Sequence, residues 1–332
     1  MSWGAAMLAA LLIVLPRPMT WVVALAAFLV RGGVLLFLVP IVVVPSPVDL
    51  ATSLGPTITS FVFGGLTPEF ALIIALIFAA FLAWLLVGGA VAAATERALV
   101  EAVATDDDSP LAAVTRRPTP ARRRGRVWRI LIVRLAGHIP LAVVLGWGAL
   151  RIVQATYLEL TSPSDVIVPI ALRVLTAVPD AVIGIVAAWT LGEILGSLGA
   201  RRLVLRGLSV DNAYLGAWAD LLRRPAPTIA TFVGPTLVLL IVVGPISIAA
   251  RVAWDGLRVL LATERTSNPL DILIALVAFI AVWATGLVAA GLLSAWRSAA
   301  WTIESVRARR TFGVTGDRHP GDWIDTKASG SL

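Results

Sequence analysis

The sequence predicts an all-α polytopic membrane protein: six transmembrane helices arranged as three repeated hairpins, with interfacial amphipathic helices. Three observations lead there. Apolar residues make up 58% of the 332 positions and charged residues only 14%, against about 25% charge in a soluble domain. Six stretches reach about 20 mostly apolar residues, enough for a hydrocarbon core of about 30 Å. Arginine and lysine collect in alternate segments between those stretches.

The N-terminal stretch from Trp3 to Leu15 is apolar. As a helix it covers only about 20 Å, and Pro16 and Pro18 stop it. It is expected to lie in the interface, or to re-enter the membrane, without crossing it. It has no basic n-region, so a cleavable signal peptide is not expected. The six spans are placed near 20–44, 69–95, 130–154, 174–200, 228–253 and 270–296. The start of the fourth stays open, because Ile167 and Pro179 both offer one. The segment 311–332 is polar and is expected to be a disordered tail.

Orientation follows from the basic residues. Segments 1–19, 96–129, 201–227 and 297–332 hold 20 of the 27 Lys and Arg residues; segments 45–68, 155–173 and 254–269 hold 3. Basic loops stay on the cytoplasmic side. Both termini are therefore expected in the cytoplasm, and the net charge of +7 is explained by topology. The use of arginine in place of lysine is a coding bias pointing to a GC-rich bacterium, and hence to a bacterial plasma (inner) membrane.

Internal similarity divides the chain into repeats of about 1–104, 105–207 and 208–310. An Arg-Pro element precedes each pair of spans: Arg17-Pro18, Arg117-Pro118 and Arg224-Pro225. Upstream lies a short helical stretch, clearest in Ser209–Arg224, where Tyr214, Trp218, Leu221 and Leu222 share one face. The second helix of each pair carries Trp84, Trp189 or Trp283, with arginine about 13 residues later. That spacing sets each indole about 20 Å from the basic boundary, near mid-bilayer. Helix-start chemistry recurs at Pro68-Glu69, Pro179-Asp180 and Pro269-Leu270-Asp271. Small residues such as Gly192 and Gly196 allow close helix contact.

In this layout, and in Leu208–Thr228 and Ala188–Arg202 in particular, the chain resembles bacterial six-helix proteins related to the membrane domain of glycerophosphodiester phosphodiesterases. The resemblance implies the six-helix fold with amphipathic helices. It is one of layout, so it implies no phosphodiesterase chemistry.

Charges inside spans are costly and become functional candidates. Four form a candidate intramembrane polar cluster: Arg31, Arg134, His138 and Glu193. Arg31 and His138 each lie 10 residues past a tryptophan, Trp21 and Trp128. Arg134 shares a helix face with His138. Glu193 has no acidic counterpart in the other repeats, where Gly88 and Leu287 stand four residues after the tryptophan. It is read as the partner of Arg134 or Arg31, with a transport or lipid-headgroup site as the alternative. Asp180 is expected to cap its helix, or to pair with Arg173 should the helix run through Pro179.

The arginines Arg116, Arg117, Arg122, Arg123, Arg124 and Arg126 have no interleaved aromatics and stand just before a span. They are expected to set topology and contact anionic lipid headgroups on the cytoplasmic face, not nucleic acid. The absence of cysteine excludes disulfides and thiolate sites. Two histidines, His138 and His319, are too few for a multi-imidazole metal or haem site. No catalytic motif is present, and no cofactor is expected. The expected function is that of a non-enzymatic lipid-interacting or accessory membrane subunit; the alternative is a transporter or permease. A homo-oligomer or a partner in a membrane complex fits either.

Overall fold

The computed structural model describes residues 2–38, 41–42, 67–104, 126–162, 164, 168, 170–262 and 268–312. The described residues form α1 (Trp3–Val14), α2 (Pro18–Phe28), α3 (Val34–Leu38), α4 (Pro68–Ala83), α5 (Gly89–Ala104), α6 (Arg126–Gly137), α7 (Ile139–Thr161), α8 (Ile170–Ala177), α9 (Pro179–Arg206), α10 (Val210–Arg223), α11 (Pro225–Ala262) and α12 (Pro269–Phe312). Single π-helical turns, Leu29–Gly33 and Trp84–Gly88, join α2 to α3 and α4 to α5. Among the described residues six helical stretches are long and apolar enough to cross a membrane: Pro18–Leu38, Ala71–Ala104, Ile139–Glu159, Pro179–Arg206, Pro225–Ala262 and Pro269–Arg307. α1, at 12 residues, is about 18 Å long and falls short of spanning. The segments 105–125 and 313–332, which hold Arg116, Arg117, Arg122, Arg123, Arg124 and nearly all of the expected tail, lie outside the described residues. So does the Arg126 side chain.

The chain folds as two compact units. The first combines 1–13, 100–234 and 297–332; the second combines 14–99 and 235–296. In the first, α9 is buried almost continuously from Gly192 to Arg201. Ile194, Leu195 and Leu198 meet Ala217 of α10, Phe232 of α11 and Trp301 of α12. Small residues let α6 reach α9. A Cβ at Gly137 would stand 3.1 Å from the Gly192 carbonyl oxygen and 3.2 Å from the Gly196 nitrogen. α9 ends at Gly207, whose φ of 66° is left-handed and whose N–H donates to the Leu203 carbonyl. That αL cap turns the chain back. Ser209 then caps α10 by accepting from the Asn212 N–H. Arg202 holds α10 through two bonds to Asp220, 2.8 and 2.6 Å long. Its guanidinium occupies the space a side chain at Gly216 would need.

In the second unit Phe37, Leu239, Val243 and Ala290 form the core, with Leu25, Phe28 and Trp283 against it. Within α3 only Phe37 is buried, and the Leu38 carbonyl accepts from the Ile41 and Val42 N–H groups. The Trp283 indole N–H donates to the Phe37 carbonyl at 3.2 Å, and the Phe37 ring meets that indole edge to face. The three matched tryptophans thus do different work. Trp189 packs edge-on against Phe232 in the first unit. Trp84 stands half-exposed at a π-turn.

Several expected boundaries change. The third span is not one helix: it breaks between Gly137 and Ile139, where His138 has φ −93° and ψ 4°. Pro140 causes the break, because it has no amide proton to donate back to α6. The first span breaks too, at Gly32 with φ 102°. The fourth begins at Pro179, so α8 is a separate helix. This removes the alternative pairing of Arg173 with Asp180, which needed a helix running through Pro179. Arg173 instead holds Glu159 at 2.7 Å, while Asp180, in the first turn of α9, meets Arg151 at 3.3 Å. α11 and α12 run for 38 and 44 residues, about 57 and 66 Å. The C-terminal end of α12 exceeds its expected span because it continues into packed protein, as the burial of Ala299–Glu304 demonstrates.

Candidate intramembrane polar site

The site lies in the first unit, where α6 gives way to α7 alongside α9. Residues Arg134 and His138 are four apart and point the same way. Glu193 and Ser197 are also four apart, on the face of α9 turned towards them. Gly192 and Gly196 lie beside them and remove the bulk that would hold the helices apart. A Cβ at Gly192 would stand 2.9 Å from the His138 ring, and one at Gly196 would stand 3.2 Å from the Arg134 side chain.

Arg134 Nη1 is 3.6 Å from Glu193 Oε2, and Arg134 Nη2 donates to Ser197 Oγ at 3.5 Å. His138 Nε2 is 3.6 Å from the other carboxylate oxygen, Oε1. His138 Nδ1 is 2.8 Å from the Arg134 carbonyl. The Arg134 side chain is only 9% exposed and that of Glu193 15%. Both ends of the carboxylate thus face cationic or proton-bearing groups. Low dielectric makes such a pair strong when intact and costly when one member is lost.

Arg31 is placed elsewhere. It belongs to the second unit, where its Nη2 bonds Glu96 Oε2 at 2.9 Å. Of the two partners expected for Glu193, Arg134 is the one at the site. Sequence analysis missed Glu96, which stands beside Arg97 and reads as part of the basic boundary. It is 3% exposed. It also missed Glu304, 4% exposed, which Arg224 reaches at 3.2 Å and Arg307 at 3.3 Å. The available signal was that an acid surrounded by arginines near a span end needs a partner if the helix continues. Pro140 was a plainer signal for the break at His138.

One pattern emerges only from the contacts. Three Arg–Glu pairs each link a residue in or just before one helix to a membrane-length helix: Arg31 to Glu96, Arg134 of α6 to Glu193, and Arg224, just before α11, to Glu304. Arg201, 2% exposed, is bonded to neutral oxygens, the Ser197 carbonyl and both oxygens of Ser298.

The site can hold charge, hydrogen bonds and protons. Only His138 and Glu193 are of metal-ligating type, and a tetrahedral zinc site takes three or four protein ligands. Among the described residues no group of three or more His, Asp or Glu side chains is placed to hold a metal ion. No protein-family model, curated protein or solved structure gives a significant match to this chain.

Proposed function

We propose that the chain is a non-enzymatic multi-pass protein of a bacterial inner membrane that binds lipid, above all anionic headgroups, on its cytoplasmic face and serves as an accessory or scaffold subunit. One observation carries this reading: the short helices are apolar on two sides. On α10, Ala213 and Ala217 are fully buried, while Leu215 and Leu222 are 64% and 73% exposed. On α1, Ala6 and Ala10 are buried, while Leu8 and Leu12 face outward. Neither cytosol nor a protein core suits such a helix. The headgroup region does, because one side meets protein and the other meets acyl chains.

Arginines at the ends of these helices, Arg17 after α1 and Arg223 in α10, favour anionic lipid. The arginines Arg116, Arg117, Arg122, Arg123, Arg124 and Arg126 add to that attraction on this reading. The arginine distribution supports cytoplasmic termini. Three repeated hairpins belong to the same proposal. They are supported by helices starting at Pro18 and Pro225 and by the three Arg–Glu ties.

The test uses the full chain in nanodiscs of mixed anionic and zwitterionic phospholipid. Native mass spectrometry should find the anionic lipid retained. Leu215→Ser with Leu222→Ser, combined with glutamine at the five loop arginines from 116 to 124, should reduce that retention several-fold. Equal retention of both lipids would remove the reading. Orientation is checked on the cysteine-free background. Ala121→Cys should label only from the cytoplasmic side and Thr57→Cys only from the other.

A second reading, transport, is favoured by the break at His138 beside Glu193, since broken helices line many transport sites. It expects Ser197→Cys to react with a membrane-impermeant thiol reagent. A thiol inert from both sides excludes it.

A further inference from the structure

The hydrogen-bond chemistry of His138 carries a conclusion that does not depend on lipid binding. The Nδ1 atom of His138 lies 2.8 Å from the Arg134 backbone carbonyl. A carbonyl can only accept, so Nδ1 must carry a proton. A neutral imidazole with its proton on Nδ1 presents a bare lone pair at Nε2. That lone pair would face Glu193 Oε1 at 3.6 Å, and an ionised carboxylate is also acceptor-only. Two lone pairs pointed at each other repel. One more proton between the two atoms turns the repulsion into a charge-assisted contact.

We propose that His138 and Glu193 form a proton-binding site, in which one exchangeable proton is held on His138 Nε2 towards Glu193 Oε1, with Arg134 on the opposite carboxylate oxygen. The proton is the ligand of the site.

The surroundings fit this assignment. From α6, Arg134 faces the pair, with Nη1 3.6 Å from Glu193 Oε2. From α9, Glu193 itself and the Ser197 hydroxyl face it. Three other charges on the neighbouring helices have partners elsewhere. Arg201 bonds to the oxygens of Ser197 and Ser298, Arg202 bonds to Asp220 of α10, and Arg151 of α7 meets Asp180. The Arg134–Glu193 pair is close to neutral by itself, so the extra proton gives the site its positive charge. The site also stands at the one point where α6 and α7 are not continuous. Loss of the proton would therefore repel Glu193 from the first residue of the break.

The chain has only two histidines. His319→Gln therefore leaves His138 as the sole imidazole, and nitrogen-15 histidine labelling of the full chain in nanodiscs reports it directly. At neutral pH the expected result is proton-bearing signals from both ring nitrogens, Nδ1 and Nε2. In Glu193→Gln with His319→Gln, the Nε2 signal should move to that of an unprotonated nitrogen while Nδ1 keeps its proton. A bare Nδ1 with a protonated Nε2 would overturn the hydrogen-bond assignment. A bare Nε2 in the protein with Glu193 intact would overturn the proton site. The measurement with Glu193 intact is decisive even if the Glu193→Gln protein does not fold, and neither result depends on which lipid the protein retains.

Discussion

Replacing Glu304 by alanine is expected to destabilise the protein more than loss of any other single surface or boundary charge. Glu304 is 4% exposed and is reached by two guanidiniums, Arg224 at 3.2 Å and Arg307 at 3.3 Å. Removing one partner of a buried pair leaves the other uncompensated and costs about 3–5 kcal/mol. The Arg224 Nη1 atom is already buried without a bond, so this arginine has no spare partner within reach. Thermal unfolding in detergent, followed by loss of monodisperse protein, should show a large fall in midpoint. Two comparisons separate charge from packing. Asp255→Asn breaks an exposed pair with Arg251 and should cost no more than about 1 kcal/mol. Arg224→Met combined with Glu304→Met should recover much of the loss, since apolar replacement of a buried pair is close to neutral. A Glu304→Ala protein as stable as the parent would mean that the pair is solvated and the ties between helices are not structural.

Valine at Gly192 is expected to have the second large effect. A Cβ there would stand 2.9 Å from the His138 ring and 3.1 Å from the Gly137 carbonyl. The carbonyl cannot rotate away, so α6 and α9 must separate. Overpacking of this kind costs about 1–3 kcal/mol and sometimes more, and here it also pulls Glu193 from Arg134 and His138. Glycines with open space around them provide the contrast. At Gly256 and Gly146 nothing lies within 4 Å of an added Cβ. Alanine at either should leave the protein unchanged or stabilise it by up to about 1 kcal/mol through helix propensity. Equal tolerance at Gly192 and Gly256 would refute close approach of α6 and α9 as the reason for glycine.

The division between what sequence and structure each reveal follows from the range of the forces involved. Membrane-length helices are legible because a bilayer imposes one local rule, about 20 apolar residues in a row. Six such stretches in the sequence become six helices of sufficient length and hydropathy. Helix starts at Pro18, Pro68, Pro179, Pro225 and Pro269 are equally local, since proline suits the first turn. The break at His138 was also local, encoded by Pro140, and was missed because hydropathy does not register a lost hydrogen bond.

The candidate site was legible only in part. Arg134 and His138 share a face by spacing alone, but the partner of each charge depends on which helices touch. Arg31 and Arg134 look interchangeable as partners for Glu193 in the sequence, yet Arg31 joins Glu96 in one unit and Arg134 joins Glu193 in the other. Arg173 and Asp180 are seven residues apart and still take different partners, Glu159 and Arg151, because the chain breaks at Val178 between them.

By itself the sequence determined that hydrocarbon-length helices form, how many there are and where prolines start them, since each depends on neighbours within a few residues. Only the tertiary structure decided which arginine meets which glutamate and which glycine gives way to a neighbouring helix. Burial makes an ion pair or a backbone contact strong or costly, and burial is created by residues tens to hundreds of positions away.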